Sequence, residues 1–390
     1  MIRLSDKTEC SGCAACADIC GHGCIAMQPD EEGFVYPDIN ASKCVECGLC
    51  ERVCPIINVP TSNDVNQVIA AKNHNEHIRF KSSSGGVFEL LAACAIADGG
   101  VVVGCRLNER MEAEHAVASD LNELQAMLSS KYVQSDTDGI YKEVRRYLRE
   151  GRKVLFSGVP CQVAALRNFL IKPHPNLFTV DVLCHGVPSP KVFGDYLARL
   201  EARYGSKATA VSFRHKEKSW KRLYINIEFA NGRRHFLYSG YDSYMQLFLS
   251  DRLQRPSCFH CPYNNLHRPG DISLGDFWGI GKTRPDVDDN KGISLVLVNN
   301  EKGAEMWDTC AEDTSHFTSD IEMAVAGNKV LVQHLPSDQA SRAFYHDYVT
   351  LGFDKAILKN APEKSWIYQK YYNFMRRGLD LVRKIRHQSY

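Results

Sequence analysis

No glycine-rich G-x-G-x-x-G turn follows a strand-like run anywhere in the 390 residues, so the Rossmann route to dinucleotide binding has no support. An uninterrupted apolar stretch of membrane-spanning length is missing too. The longest, from Val87 to Cys105, is broken by Glu89, Asp98, Gly99 and Gly100 and reads as a buried helix followed by a strand. Nor is there an excess of charge of one sign. With 47 Lys and Arg against 46 Asp and Glu the formal charge is +1, which provides none of the field that marks a nucleic-acid binder. The opening residues MIRLSDKTEC hold no apolar core of a secretory leader. A cytoplasmic protein is therefore expected, in a compartment where grouped thiols hold metal or do redox chemistry rather than form disulfides.

Cysteine is what the chain has in excess: 16, with nine in the first 54 residues. Cys10, Cys13, Cys16 and Cys20 stand in the spacing C-x2-C-x2-C-x3-C, and the same run returns 34 residues later as Cys44, Cys47, Cys50 and Cys54. In such a run three thiolates surround one 4Fe–4S cluster and the fourth crosses to a second cluster. The crossed scheme assigns Cys10, Cys13, Cys16 and Cys54 to one cluster and Cys44, Cys47, Cys50 and Cys20 to the other. Zinc accepts C-x2-C pairs but has no use for the third cysteine of each run. A radical S-adenosylmethionine site wants C-x3-C-x2-C, which Cys16, Cys20 and Cys24 do not provide. Pro55 follows Cys54, whereas Gly21, His22 and Gly23 follow Cys20, and two glycines permit a similar turn at more entropic cost. Cys24 then reads as packing against a cluster, and Cys94, Cys105 and Cys310, isolated on apolar segments, as core.

Beyond a polar, turn-rich linker, NVPTSNDVNQ (58–67), helical and strand patterns alternate. Helices are expected at GGVFELLAACAIAD, YKEVRRYLREG and KVFGDYLARLEARYG. Strands are expected at GGVVVGCRL, KVLFSG and LFTVDVLC, with a hairpin about Asn231-Gly232. This is a mixed α/β pattern whose strand ends carry cysteines. The last 45 residues read as helical, aromatic and basic.

Residues 1–57 resemble the bacterial two-cluster ferredoxins. The motifs RFKSSSGGVF, SSKYVQSD, VLFSGVPCQVAAL, VDVLCHGVPSPKVF, CFHCPYNNLHRPGDISLGDFWGI and NKGISLVLVN, taken in order, resemble the coenzyme F420 hydrogenase/dehydrogenase beta-subunit family. The resemblance implies an α+β, mixed α/β chain in three parts. A ferredoxin-type module with two 4Fe–4S clusters (1–60) precedes a larger FAD-binding domain of the beta-subunit type (68–345) and a basic helical tail (346–390). It also implies an iron–sulfur flavoprotein oxidoreductase that passes electrons between a ferredoxin-like or F420-like donor and a small organic acceptor. A non-catalytic electron-transfer subunit feeding a separate enzyme is the alternative.

Within those motifs Ser83 or Ser84 is expected to cap a helix, with Gly85 and Gly86 letting backbone N–H groups reach a flavin pyrophosphate. Lys131 offers a cation and Tyr132 a ring, or else a surface lysine and a core tyrosine. Asp276 and Trp278 are expected to line the flavin or cluster pocket. Cys161, Cys184, Cys258 and Cys261 are candidates for a third 4Fe–4S cluster, and His185, beside Cys184, for a proton donor at the flavin. The tail 364–390 carries an apolar stripe among basic residues, which suits peripheral membrane contact, a docked partner, or packing on its own domain.

Overall fold

The computed structural model describes residues 2–361; the tail from 362 onward, with its membrane reading, lies outside the described residues. The two cysteine runs fold as near-copies. The backbone is left-handed at matching places, Gly12 (φ +68°) and Ala14 (φ +59°) in the first, Glu46 (φ +55°) and Gly48 (φ +73°) in the second. For Ala14 and Glu46 that conformation is costly, about 1–2 kcal/mol each. A five-residue helix follows in each copy, α1 (Ala15–Ile19) and α2 (Leu49–Val53), and each stops where Cys20 or Cys54 turns extended. Pro55 fixes the exit after Cys54, while Gly23, at φ +58°, allows it after Cys20. Between the runs, β1 (Ile25–Pro29) and β2 (Val35–Ile39) pair as an antiparallel hairpin.

The rest of the chain is organised by one eight-stranded sheet. Its strands are β3 (Gln67–Asn73), β4 (Val101–Leu107), β5 (Ala113–Ala118), β6 (Val154–Gly158), β7 (Leu177–Val182), β11 (Ile272–Asp276), β12 (Ser294–Val298) and β13 (Thr314–Ser319). The spatial order is β13-β3-β12-β11-β7-β6-β4-β5. β4, β6, β7 and β11 run parallel at the centre, and antiparallel strands flank them. The central strands are apolar on both faces because both are covered. Val154 and Phe156 of β6 pack with Val163, Leu166 and Tyr141 from two helices on one side. Leu155 and Val180 pack with Leu91 and Trp307 on the other. The expected helices appear as Val87–Ala97, Ile140–Arg149 and Pro190–Tyr204. β8 (Ala208–Ser212), β9 (Tyr224–Phe229) and β10 (Arg234–Tyr238) form a separate antiparallel sheet, with the Asn231-Gly232 turn between the last two.

The N-terminal module is fastened to this domain rather than tethered to it. The carboxylate of Asp18, on α1, is buried and accepts from the amides of Gly139 (2.9 Å) and Tyr141 (3.1 Å), so a side chain of one part caps a helix of the other. Thr137 donates to the carbonyl of Cys13 at 2.9 Å, and Ser189 to that of Glu32 at 2.6 Å. The expected linker ends in the first residue of β3 and is otherwise irregular but not loose, because Asn63 and Arg268 exchange backbone hydrogen bonds at 2.9 and 2.8 Å.

Candidate iron–sulfur and cofactor site

The three parallel strands β6, β7 and β11 end at one edge of the sheet, where open α/β sheets bind their ligands. Cys161 is the second residue of the helix Pro160–Leu170 that leaves β6, Cys184 and His185 follow β7, and Asp276 closes β11 with Trp278 two residues on. A turn at Pro256–His260 brings Cys258 and Cys261 to the same place. Cys161, Cys184, Cys258 and Cys261 line one cleft together with His185, Val159, Ile56 and Leu335. The charges of Cys261, Cys184 and Cys258 all bear on Cys161, so the four thiols form one electrostatic unit.

The first run shows the same mutual influence among Cys10, Cys13, Cys16 and Cys54, the crossed set expected from the spacing. Burial pushes Cys13 up to about 12 and Cys16 further still. Burial likewise raises Cys258 to about 12 and Cys161 and Cys184 well above the ordinary thiol range. Iron binds the thiolate, so these sites hold protons when empty and release them on loading. In the second run, Cys20, Cys44 and Cys50 share an apolar cluster with Cys24, Cys16 and Cys54, while Cys47 is exposed. Cys24 is buried, as a packing residue should be, but its Sγ lies 3.2 Å from that of Cys20. Cys310 is buried, and Cys94 and Cys105 are half-buried against apolar clusters.

The donor chemistry fits cubane clusters. Four soft sulfur ligands converge without competing carboxylates, and the amides of Gly12, Glu46 and Gly186 approach the sulfurs of Cys10, Cys44 and Cys184 at 3.3–3.4 Å. Among the described residues no three His, Cys, Asp or Glu side chains close on a point as a single metal ion demands.

The neighbouring residues expected to hold a cofactor are brought together only in part. The helix Val87–Ala97 begins after Gly86 (φ +87°) with no side-chain cap, so the expectation that Ser83 or Ser84 caps it is corrected. Ser84 donates to Ile293 O at 2.7 Å, and Ser83 accepts from the Ser130 amide at 2.8 Å. Gly85 leaves no space for a side chain: an added Cβ would lie 2.2 Å from Ala71 O. The ammonium of Lys131 is spent on the carbonyls of Ala126, Leu128 and Ser129, and burial lowers it to about 8. It fastens its own loop and does not face an anion. Tyr132 stacks on Phe248 with ring centroids 4.4 Å apart, and its hydroxyl accepts from Arg214. Asp276 accepts from Arg214 at 2.6 Å and from the Trp220 indole at 2.9 Å, and Trp220 stacks on Trp278 at 4.8 Å. Burial works most strongly against the Arg214 charge, but the Asp276 carboxylate and the Tyr132 hydroxyl together outweigh it and raise the group overall. His185 Nε2 lies 2.7 Å from Asp251 Oδ1.

Sequence reasoning missed Arg214, Lys216 and Arg255. Lys216 donates to the carbonyls of Arg79, Ser84 and Lys291, and burial lowers it to about 7. No motif carried Arg214 or Lys216; Arg255 alone left a sign, standing before Pro256 and the C-x2-C loop.

These features define an iron–sulfur protein with a redox role, in which a module bearing two cysteine runs is fused to a mixed α/β domain. Comparison with known proteins gives matches over two stretches of the chain. Residues 9–57 match the 4Fe-4S dicluster domain, and residues 151–323 match the family described as the C terminus of the coenzyme F420 hydrogenase/dehydrogenase beta subunit. Over those residues the chain carries the two family domains. No curated protein matches it. Among solved structures it is similar to the xenon-derivatised F420-reducing nickel–iron hydrogenase complex from Methanosarcina barkeri. Identity is 20%, coverage 76% of this chain and 91% of that one, and the TM-score 0.46. Among the described residues no helix is long and apolar enough to cross a membrane.

Proposed function

We propose that this chain is an iron–sulfur flavoprotein oxidoreductase. It carries electrons between a ferredoxin-like or other one-electron protein donor and a small organic acceptor, through the two clusters of residues 9–57, a third cluster at Cys161, Cys184, Cys258 and Cys261, and FAD. The observation that carries this reading is the convergence of those four cysteines in one cleft. The charge of Cys13, from the first run, is among those that bear on Cys161. FAD, when bound, exchanges electrons singly or in pairs, which joins cluster chemistry to the chemistry of an organic acceptor.

The residues present suit a flavin. Among the described residues no side chain caps the helix start at Gly86, so its first amides would be donors for a pyrophosphate. Among the described residues Nη2 of Arg214 is buried with no hydrogen-bond partner, its guanidinium carbon 5.1 Å from the Trp278 ring centroid, and so has a donor to spare for a ligand. Gly86, Arg214, Asp276 and Trp278 are the residues that would hold it, with Ser83, Ser84 and Gly85 shaping the helix start, since the two hydroxyls bond Ser130 and Ile293 and the Gly85 amide donates to Ser294 Oγ at 3.0 Å. Tyr132 orients Arg214, and Lys131 orders the loop before it. His185, steadied by Asp251, would hold or give up a proton at the cleft.

Anaerobic purification followed by iron, sulfide and flavin analysis tests the reading. About twelve irons and one FAD per chain support it, and about eight irons remove the third cluster. The matched family is described as a beta subunit, which favours a second reading: an electron-transfer subunit serving a separate catalytic partner. Turnover of candidate acceptors by the isolated chain with reduced ferredoxin or viologen separates the two.

A further inference from the structure

Four arginines are buried in the described fold, and three have a carboxylate. Arg79 pairs with Asp289, Arg214 with Asp276 and Arg268 with Asp181. The fourth, Arg255, is fully buried and among the described residues has neutral partners alone. Nε donates to Cys10 O at 2.7 Å, Nη1 to Gln134 Oε1 at 3.1 Å and Nη2 to Val35 O at 2.8 Å. The rings of Tyr36 (4.3 Å) and Phe34 (5.3 Å) cover the guanidinium. A buried cation with neutral partners is strongly unfavourable unless an anion stands nearby.

Its position shows where the anion would be. The side chain holds the carbonyl of Cys10. The Arg255 amide donates to Val187 O, three residues past Cys184, and its own carbonyl accepts from the Cys258 amide at 2.9 Å. Arg255 therefore joins the loops of two cysteine quartets, and its charge opposes the effect of burial at Cys258. Space around it is filled as well: a Cβ on Gly12 would fall 2.7 Å from Arg255 Nη1. A 4Fe–4S cluster with four thiolate ligands is a net anion, and becomes more negative on reduction. A fixed cation in a low-dielectric setting favours the reduced form and raises the potential.

We propose that Arg255 is the shared counter-ion of the Cys10/Cys13/Cys16/Cys54 and Cys161/Cys184/Cys258/Cys261 clusters, a positioning residue that holds both reduction potentials up. For the second of these clusters the inference rests on the function proposed above. The Cys20/Cys44/Cys47/Cys50 cluster serves as an internal reference.

The test uses the anaerobically purified full chain with its clusters. Iron and sulfide are counted first, and the potentials are then read by redox titration with EPR detection. Arg255→Gln is expected to lower two of the three potentials and leave the third in place, while Arg255→Lys, which keeps the charge, keeps all three near their original values. Should Arg255→Gln fail to hold iron, Gln134→Glu neutralises the charge in place and is expected to lower the same two. Potentials unchanged in the neutralised variant, or lowered equally by Lys and Gln, overturn the proposal. A wild-type count of about eight irons refutes the third cluster separately. The Cys10 cluster alone then decides the role of Arg255, by the same drop or its absence.

Discussion

His115 tests the packing of the sheet beneath the cleft. Its ring is buried and stacks on Phe156 of β6 at 5.5 Å. Nδ1 meets the Ser135 hydroxyl at 2.9 Å and Nε2 the carbonyl of Ser157 at 3.0 Å. Burial lowers it from 6.5 to about 4, and the folded state keeps it neutral. The sign follows from proton counting. Between the two values the unfolded chain binds a proton that the native chain refuses, so stability is complete above pH 6.5 and falls as pH drops toward 4. The slope is about 1.4 kcal/mol per pH unit, which gives a loss of about 2 kcal/mol between pH 7 and pH 5. His115→Gln keeps a donor and an acceptor but does not titrate. Urea unfolding of both proteins, anaerobic and cluster-loaded, at pH 7, 6 and 5 isolates the histidine as the difference between them. That difference is expected to shrink by about 2 kcal/mol over the range, because wild type loses what the variant never had. A difference that stays constant from pH 7 to pH 5 refutes the reasoning, since it means that the ring protonates in the fold without penalty.

Cys20→Ala is expected to lose about four irons per chain, while Cys24→Ala keeps the full count; the reverse pattern makes Cys24 the ligand. Among the described residues Arg268→Met leaves the buried carboxylate of Asp181 with only the Gly270 amide, at 2.8 Å, and is expected to cost about 3–5 kcal/mol, read from a denaturation midpoint. A cost below about 1 kcal/mol means Asp181 takes up a proton or finds water. Gly85→Ala would set a Cβ 2.2 Å from Ala71 O and 2.6 Å from Ser294 N, both backbone atoms, so β3 and β12 must part. A loss of about 1–3 kcal/mol, together with loss of FAD from the purified protein, is the expected outcome.

Much was legible where the controlling interactions are local. Cys10, Cys13, Cys16 and Cys20 lie within eleven residues, so their spacing points to a cluster-binding loop, and the repeat at Cys44 makes the crossed assignment the expected one. The strands at Val101, Val154 and Leu177 and the helices between them follow from apolar period and glycine stops for the same reason. Side-chain direction was not legible. Lys131 read equally well as a cation for phosphate, and only its enclosure by three carbonyls turns it inward. The helix cap at Ser83 or Ser84 failed because Ile293 and Ser130 claim those hydroxyls, and both lie far away in sequence.

The sequence by itself determined two cluster-binding runs, a mixed α/β body and a set of cysteines at strand ends. Tertiary structure decided that Cys161, Cys184, Cys258 and Cys261 share a cleft, that Trp278 has Trp220 as its partner, and that Arg255, between the loops of two cysteine quartets, has no carboxylate partner among the described residues. The physical reason is distance along the chain. Parallel strands deliver their ends to one edge wherever they lie in sequence. Spacing therefore reveals the ligands within a loop, and sheet order alone reveals which loops meet.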